Sequence, residues 1–271
     1  DSLACYHDAI ERQPLIYSRD SIESVDGVEK RNYLLTSQEW SPEGIAQPAL
    51  WKHDVAIYVP KDALPKRALL ISTNGTRNPE PGKAPEAASE LTSQDLAMIA
   101  TRSRTVVVAL SDIPNQYLTF GDDGRSRRED DSVAHTWARF LEAPEQRKTM
   151  PFHVPMSAAI ARAMTLAELE LRDLHIHRFV LAGASKRGWA SWHALIADRR
   201  VEAVVPIVID ILNMKVLLEH MNRAYGGHWP VAFDSYVEEG ITQRLDSPEF
   251  ANLLKIQDSF EYLNSPYRDR L

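Results

Sequence analysis

Apolar residues fall along this chain in two rhythms. Residues 67–72 (RALLIS), 105–110 (TVVVAL), 178–182 (RFVLA) and 203–209 (AVVPIVI) are continuous apolar runs. Runs of that length suit strands buried on both faces of a parallel sheet. Residues 51–59 alternate apolar and polar side chains, as a half-buried strand does. Between them, apolar positions at helical spacing predict helices over 85–102, 129–141, 155–171 and 186–197. Alternating strands and helices predict an α/β fold: a mostly parallel sheet with helices on both faces, in three layers.

After Asp210 the strand signal stops. Residues 211–223, 231–240 and 247–263 carry helical patterns, with Tyr225, Gly226, Gly227 and Trp229 interrupting them. The expected organisation is a core over 1–210 and a helical cap or lid over 211–271. The stretch 74–85, with Pro79, Pro81 and Pro85 among Gly75 and Gly82, reads as an ordered loop. Residues 121–131 form a second polar stretch, rich in Asp and Arg.

Composition narrows the function classes. Of the 271 residues, 44% are hydrophobic and 25% charged, enough apolar material for a sizeable core. The net charge of -7 is spread along the chain and argues against a nucleic-acid partner, which calls for basic patches. No apolar run reaches the roughly 20 residues of a membrane-spanning helix. Cys5 is the single cysteine, so an internal disulfide or a cysteine-rich metal site is excluded. No phosphate loop is present and no cofactor is expected: Gly82-Lys83 is followed by Ala84 and has the wrong spacing from Gly75. His175 and His177 form an H-x-H pair with no third ligand nearby, and no metal is expected there.

The chemistry concentrates at Gly183-Ala184-Ser185-Lys186-Arg187-Gly188. The run RFVLA feeds straight into it and a helix follows at once, the strand–turn–helix context of a nucleophile elbow. A serine at such an apex needs small neighbours where strand and helix pass, and Gly183, Ala184 and Gly188 supply them. The elbow pattern is G-x-S-x-G, and here Arg187 holds the last glycine's place, with Gly188 one residue later. The alternative is a tight connection in which Ser185 merely caps the helix. If Ser185 is a nucleophile, the oxyanion donors by position are the Lys186 N–H and an N–H of Gly75 or Thr76, which follow RALLIS. Arg187, Asn115 and Gln116 are candidate substrate-binding residues, since ligand crevices lie beyond the carboxyl ends of parallel strands. Glu129-Asp130-Asp131 lies at a comparable place, with helix capping as the plainer role. Trp189 and Trp192, three apart on the following helix, read as core packing.

With GASKRGW and the following PIVIDILNM, the chain resembles the PhoPQ-activated pathogenicity-related protein family. Further matches are Leu35-Thr36-Ser37-Gln38-Glu39-Trp40, Trp51-Lys52-His53, Ile113-Pro114-Asn115-Gln116, Arg128-Glu129-Asp130-Asp131 and Val154-Pro155-Met156. The resemblance implies an α/β-hydrolase fold and bacterial export, hence a periplasmic or secreted location. The turn alone is similar to that of glucuronoyl esterases, which carry a cation after the serine. That likeness implies that Lys186 helps hold an oxyanion or an anionic substrate.

A serine hydrolase also needs a base and an acid, in the chain order Ser, acid, His. The strands that would carry them do not follow residue 209, so the C-terminal strands are expected to be missing from this chain, and the acid and histidine to lie beyond Leu271. The chain would then be truncated or cleaved, with a C-terminal fragment of the same protein as partner and an exposed sheet edge. In a complete chain the acid would be Asp210, with His220 or His228 as base. The expected function is hydrolysis of a small-molecule or peptide ester or amide. The rival is a non-catalytic secreted binding or signalling protein on a hydrolase scaffold.

Overall fold

The computed structural model describes residues 2–80 and 82–264, so Pro81 of the proline-rich loop lies outside the described residues. Helix α1 (Ser2–Glu11) precedes a hairpin of β1 (Ile16–Val25) and β2 (Val28–Glu39). Next come β3 (Ala46–Gln47), β4 (Leu50–Val59), β5 (Arg67–Ser72), α2 (Ser93–Ser103), β6 (Val106–Leu110), β7 (Leu118–Phe120) and β8 (Ser126–Arg127). Helices α3 (Glu129–Glu142) and α4 (His153–Glu170) then lead to β9 (Arg178–Ala184), α5 (Lys186–Ala197) and β10 (Val201–Ile207). Helices α6 (Met214–Ala224), α7 (Asp234–Glu238) and α8 (Pro248–Gln257) complete the order.

Seven strands form one mixed sheet in the order β1-β2-β4-β6-β5-β9-β10. The β6-β5-β9-β10 half is parallel, and β1, β2 and β4 join it antiparallel. Strands β3, β7 and β8 make a small separate sheet. The apolar runs are buried on both faces because they alternate between two cores. Leu70, Val106, Val108 and Leu181 face α4 and α5, whereas Ile71, Val107, Ala109 and Ala182 face Leu96, Ala97 and Ala100 of α2.

Two departures have local causes. The helix expected from residue 85 starts at Ser93, because Thr76 and Glu86 pair as an isolated bridge and hold that stretch extended. A capping box between Thr92 and Asp95 then fixes the helix start. The second is β10, whose apolar run reads as a buried strand but is the outer strand of the sheet among the described residues, in keeping with the exposed sheet edge also expected. Val205 and Ile207 are 48% and 47% exposed. Past Asp210, α8 is bound into the core through Phe250, Leu253 and Gln257, while α6 and α7 stand over the carboxyl end of β9 and β10.

Candidate active site

Ser185 alone makes the turn from β9 into α5, with φ 54° and ψ −127°. A non-glycine residue at positive φ there stores about 1–3 kcal/mol of strain. The Ser185 side chain makes no capping hydrogen bond, which removes the capping alternative. Its N–H donates to Ile207 O at 2.8 Å, anchoring the apex to β10.

The glycines explain the displaced motif. A Cβ on Gly183 would meet the Arg187 carbonyl carbon at 2.7 Å and Cβ at 2.8 Å, so its absence is what lets a side chain occupy position 187. A Cβ on Gly188 would lie 2.7 Å from Gly183 O, 2.9 Å from Ile209 Cγ2 and 3.1 Å from the Pro206 Cα. Helix α5 therefore touches both strands at Gly188, which is why the second glycine is needed there.

Ser185 opens into a cavity of about 320 Å³. Its walls are mainly apolar: Trp137, Trp189, Met214, Leu218 and Ile241 among them, with Tyr236, Asp130 and Asp210 as polar contributors. Trp189 thus serves both core and cavity, donating its indole N–H to Gln257 O at 2.7 Å and stacking on His153 at 4.1 Å. Helix α6, within the stretch read as a helical cap, supplies one wall through Met214, Leu217, Leu218 and Met221 at i, i+3, i+4, i+7, a lining role the pattern alone did not assign.

Of the expected oxyanion donors, the Lys186 N–H begins α5 and the Gly75 N–H follows β5. Neither has a hydrogen-bond partner among the described residues. Thr76 is withdrawn, because its N–H donates to Glu86 O at 2.8 Å. Gly75 has φ 126°, and a Cβ on it would come within 2.7 Å of Asp112 Oδ1, so a side chain there would be strained and would have to displace the Asp112 carboxylate.

The basic pair after Ser185 is engaged internally. Lys186 Nζ lies 2.9 Å from both Glu129 Oε2 and Asp130 Oδ2, and Arg187 Nη2 donates to Glu129 Oε1 at 2.7 Å. Burial pushes the Glu129 carboxyl up, but Arg187 and Lys186 outweigh it and hold the group below its ordinary range. Burial likewise lowers Lys186, and Glu129 and Asp130 more than compensate. Lys186 is therefore a charged group paired with two carboxylates. Its side chain, expected to serve an oxyanion or an anionic substrate, is held by these two carboxylates at the cavity wall.

The expected binding residues are buried in the same network. Gln116 donates to Gly75 O at 3.1 Å and to Glu129 Oε1 at 3.0 Å, and accepts from the Glu129 N–H at 3.2 Å. Asn115 accepts from the Lys52 N–H and from Asn78, each at 3.2 Å. Arg187 also reaches Glu90 at 3.6 Å, and Glu90 accepts from the Asn74 N–H at 3.2 Å. None of Asn115, Gln116 or Arg187 lines the cavity. Gln116 and Arg187 join the Gly75 loop to the Ser185 turn through Glu129, while Asn115 ties β4 to the 74–85 loop.

Asp210 lines the cavity but has no hydrogen-bond partner among the described residues. His220 and His228 bond neither it nor Ser185. His53 is sealed in β4, its ring nitrogens 2.9 Å from Ser37 Oγ and 3.1 Å from Asp112 O. Among the described residues, no group of three His, Cys, Asp or Glu side chains is placed to hold a metal ion, and no helix is long and apolar enough to cross a membrane.

The family described as PhoPQ-activated pathogenicity-related protein matches residues 3–269. Among curated proteins, the autocrine proliferation repressor protein A of Dictyostelium discoideum is 36% identical over 230 residues, covering 84% of this chain and 45% of that protein. The chain thus spans less than half the length of this relative. Two solved structures share the fold. Acetyl xylan esterase 1 from Thermoanaerobacterium sp. superposes with a TM-score of 0.51 at 15% identity, over 96% of this chain and 71% of that one. An acetyl xylan esterase from Paenibacillus sp. gives a TM-score of 0.54 at 10% identity, over 95% and 74% of the two chains. The architecture is an α/β-hydrolase scaffold.

Proposed function

The chain belongs to the PhoPQ-activated pathogenicity-related protein family, and from that we propose that it carries the nucleophile half of a serine hydrolase acting on an ester or amide. The observation that carries the proposal is Ser185 at φ 54°, uncapped and opening into the cavity. Strain of this kind persists only where the surroundings enforce it, and here Gly183, Gly188 and the Ile207 carbonyl do so.

In the proposed reaction Ser185 Oγ attacks the carbonyl carbon while a histidine takes its proton. The tetrahedral oxyanion is held by the Lys186 and Gly75 N–H groups, where loss of one donor commonly costs about 3 kcal/mol. The carbon–oxygen or carbon–nitrogen bond breaks, the leaving group takes the proton from the histidine, and water later releases the acyl group from Ser185. The histidine and its acid are assigned to sequence beyond Leu271, and export from the cytoplasm is part of the same proposal.

A fluorophosphonate probe tests it on the full-length protein: a covalent adduct at Ser185 is expected, and its absence from a folded sample counts against the chemistry. A second reading draws on the Dictyostelium relative, whose name describes a proliferation repressor. In that reading the scaffold binds a partner without catalysis, and a biological effect unchanged by Ser185→Ala would favour it.

A further inference from the structure

We infer that the cavity beside Ser185 is an acyl pocket for an uncharged, medium-length hydrocarbon chain, so the substrate class is a fatty acyl ester. This deepens the hydrolase reading and rests on it for the chemistry, though not for the binding.

The walls lead there first. Trp137, Trp189, Met214, Leu218 and Ile241 line the space together with Ser185 and Lys186. A carbonyl whose oxygen meets the Lys186 N–H therefore has its acyl substituent against these side chains. At the low end of the roughly 300–1,000 Å³ of small-molecule sites, the cavity suits a chain of about six to ten carbons. An acetyl group would leave most of it unfilled.

The polar groups argue by what they already hold. Tyr236 donates its hydroxyl proton to Asp130 Oδ1 at 3.1 Å, and Lys186 Nζ meets Asp130 Oδ2 at 2.9 Å. Thr242 donates to Gln243 Oε1 at 3.2 Å. Among the described residues the one cation lining the cavity, Lys186, is already paired with two carboxylates, and Asp130 and Asp210 also line it. A uronate meets carboxylates and a cation already paired. Sugar hydroxyls find Asp210 as the one unengaged carboxylate of the lining among the described residues, whereas methylene groups find a mainly apolar wall. Each methylene moved from water onto such a wall changes an equilibrium roughly fourfold at full burial.

Two measurements test the inference. On the full-length protein, a series of p-nitrophenyl esters from acetate to dodecanoate should rise in kcat/KM by roughly threefold to fourfold per methylene, until the cavity is full, then level off. A flat series, or a preference for acetate, overturns the acyl pocket while Ser185 labelling by a fluorophosphonate leaves the hydrolase reading standing. Independently of catalysis, 1-octanol should change the fluorescence of Trp137 and Trp189 in the Ser185→Ala protein, whereas glucose should not. Leu218→Trp should abolish that response and move the ester optimum to shorter chains; Ile241→Phe, a milder filling, guards against loss of folding. No response to octanol in folded Ser185→Ala overturns the inference, whether or not Ser185 reacts. A response that survives both filling variants overturns it too.

Discussion

Arg187 Nη2 donates to Glu129 Oε1 at 2.7 Å, tying the residue two places after the nucleophile to the first turn of α3. Glu129 also meets Lys186 Nζ and both ends of the Gln116 amide, and Gln116 in turn holds the Gly75 carbonyl. One carboxylate thus joins the two loops that supply the proposed oxyanion donors. It holds the Ser185 turn by charge and the Gly75 loop through Gln116, where the G-x-S-x-G elbow pattern would have a glycine at 187.

Glu129→Ala should therefore destabilise the protein by about 3 kcal/mol, since removing one member of a buried ion pair leaves the rest uncompensated. Asp130 and Glu90 keep some contact with the two cations, which places the loss at the lower end. Urea denaturation measures the stability change, and the rate of fluorophosphonate labelling at Ser185 should fall with it. A variant as stable and as reactive as wild type would remove Glu129 from this role.

Gly188→Ala should destabilise by roughly 1–3 kcal/mol through overpacking, because its new Cβ would press on the backbone of Gly183 and Pro206. Gly121→Ala is the control: there the nearest atom is 3.6 Å away, an ordinary contact, and φ is not positive. Thermal melts of the two variants should separate clearly. Equal melting temperatures would mean that α5 is not held against the strands at Gly188.

The buried strands and the Ser185 turn could be read from the sequence because each is specified locally, by an apolar run or by small residues at fixed spacing. The partners of Arg187 could not. Glu129 lies 58 residues away and is brought close only by the folding of α3 against the elbow. The β1–β2 hairpin left little signal, since nearly every side chain of β1 faces solvent and no apolar rhythm marks it. The run in β10 predicts burial on both faces, and only the accompanying expectation of an exposed sheet edge matches its exposed Val205 and Ile207. Thr76 looked equivalent to Gly75 because no local pattern reveals that Glu86 takes its N–H.

Stability should fall as the pH drops below about 6.5. Burial holds His7, His53 and His193 down at about 4, and His153 well below its ordinary value, against 6.5 for the unfolded chain. A lowered histidine pKa means that protons bind the unfolded state more tightly. The stability from neutral burial is thus complete above 6.5 and is lost as the pH falls toward 4, at up to about 1.4 kcal/mol per histidine per pH unit. Asp112, raised to about 6 by burial, works the other way and gains stability from about pH 6 down to 3.8, offsetting roughly one histidine. Urea midpoints at pH 7.5, 6 and 5 should therefore decline steeply. A flat profile would show that these imidazoles are not neutral and enclosed in solution.

Ser185→Gly should raise the melting temperature while abolishing fluorophosphonate labelling. Serine at φ 54° and ψ −127° bears strain of about 1–3 kcal/mol that glycine does not. Against this, glycine loses about 0.5–1 kcal/mol more in conformational entropy on folding, so the net gain is about 1 kcal/mol. Ser185→Ala keeps a Cβ and therefore the strain, and should melt close to wild type with labelling lost. The contrast between the two separates the hydroxyl from the backbone geometry that presents it. If Ser185→Gly melts lower than Ser185→Ala, the apex stores no strain and the turn is an ordinary bend.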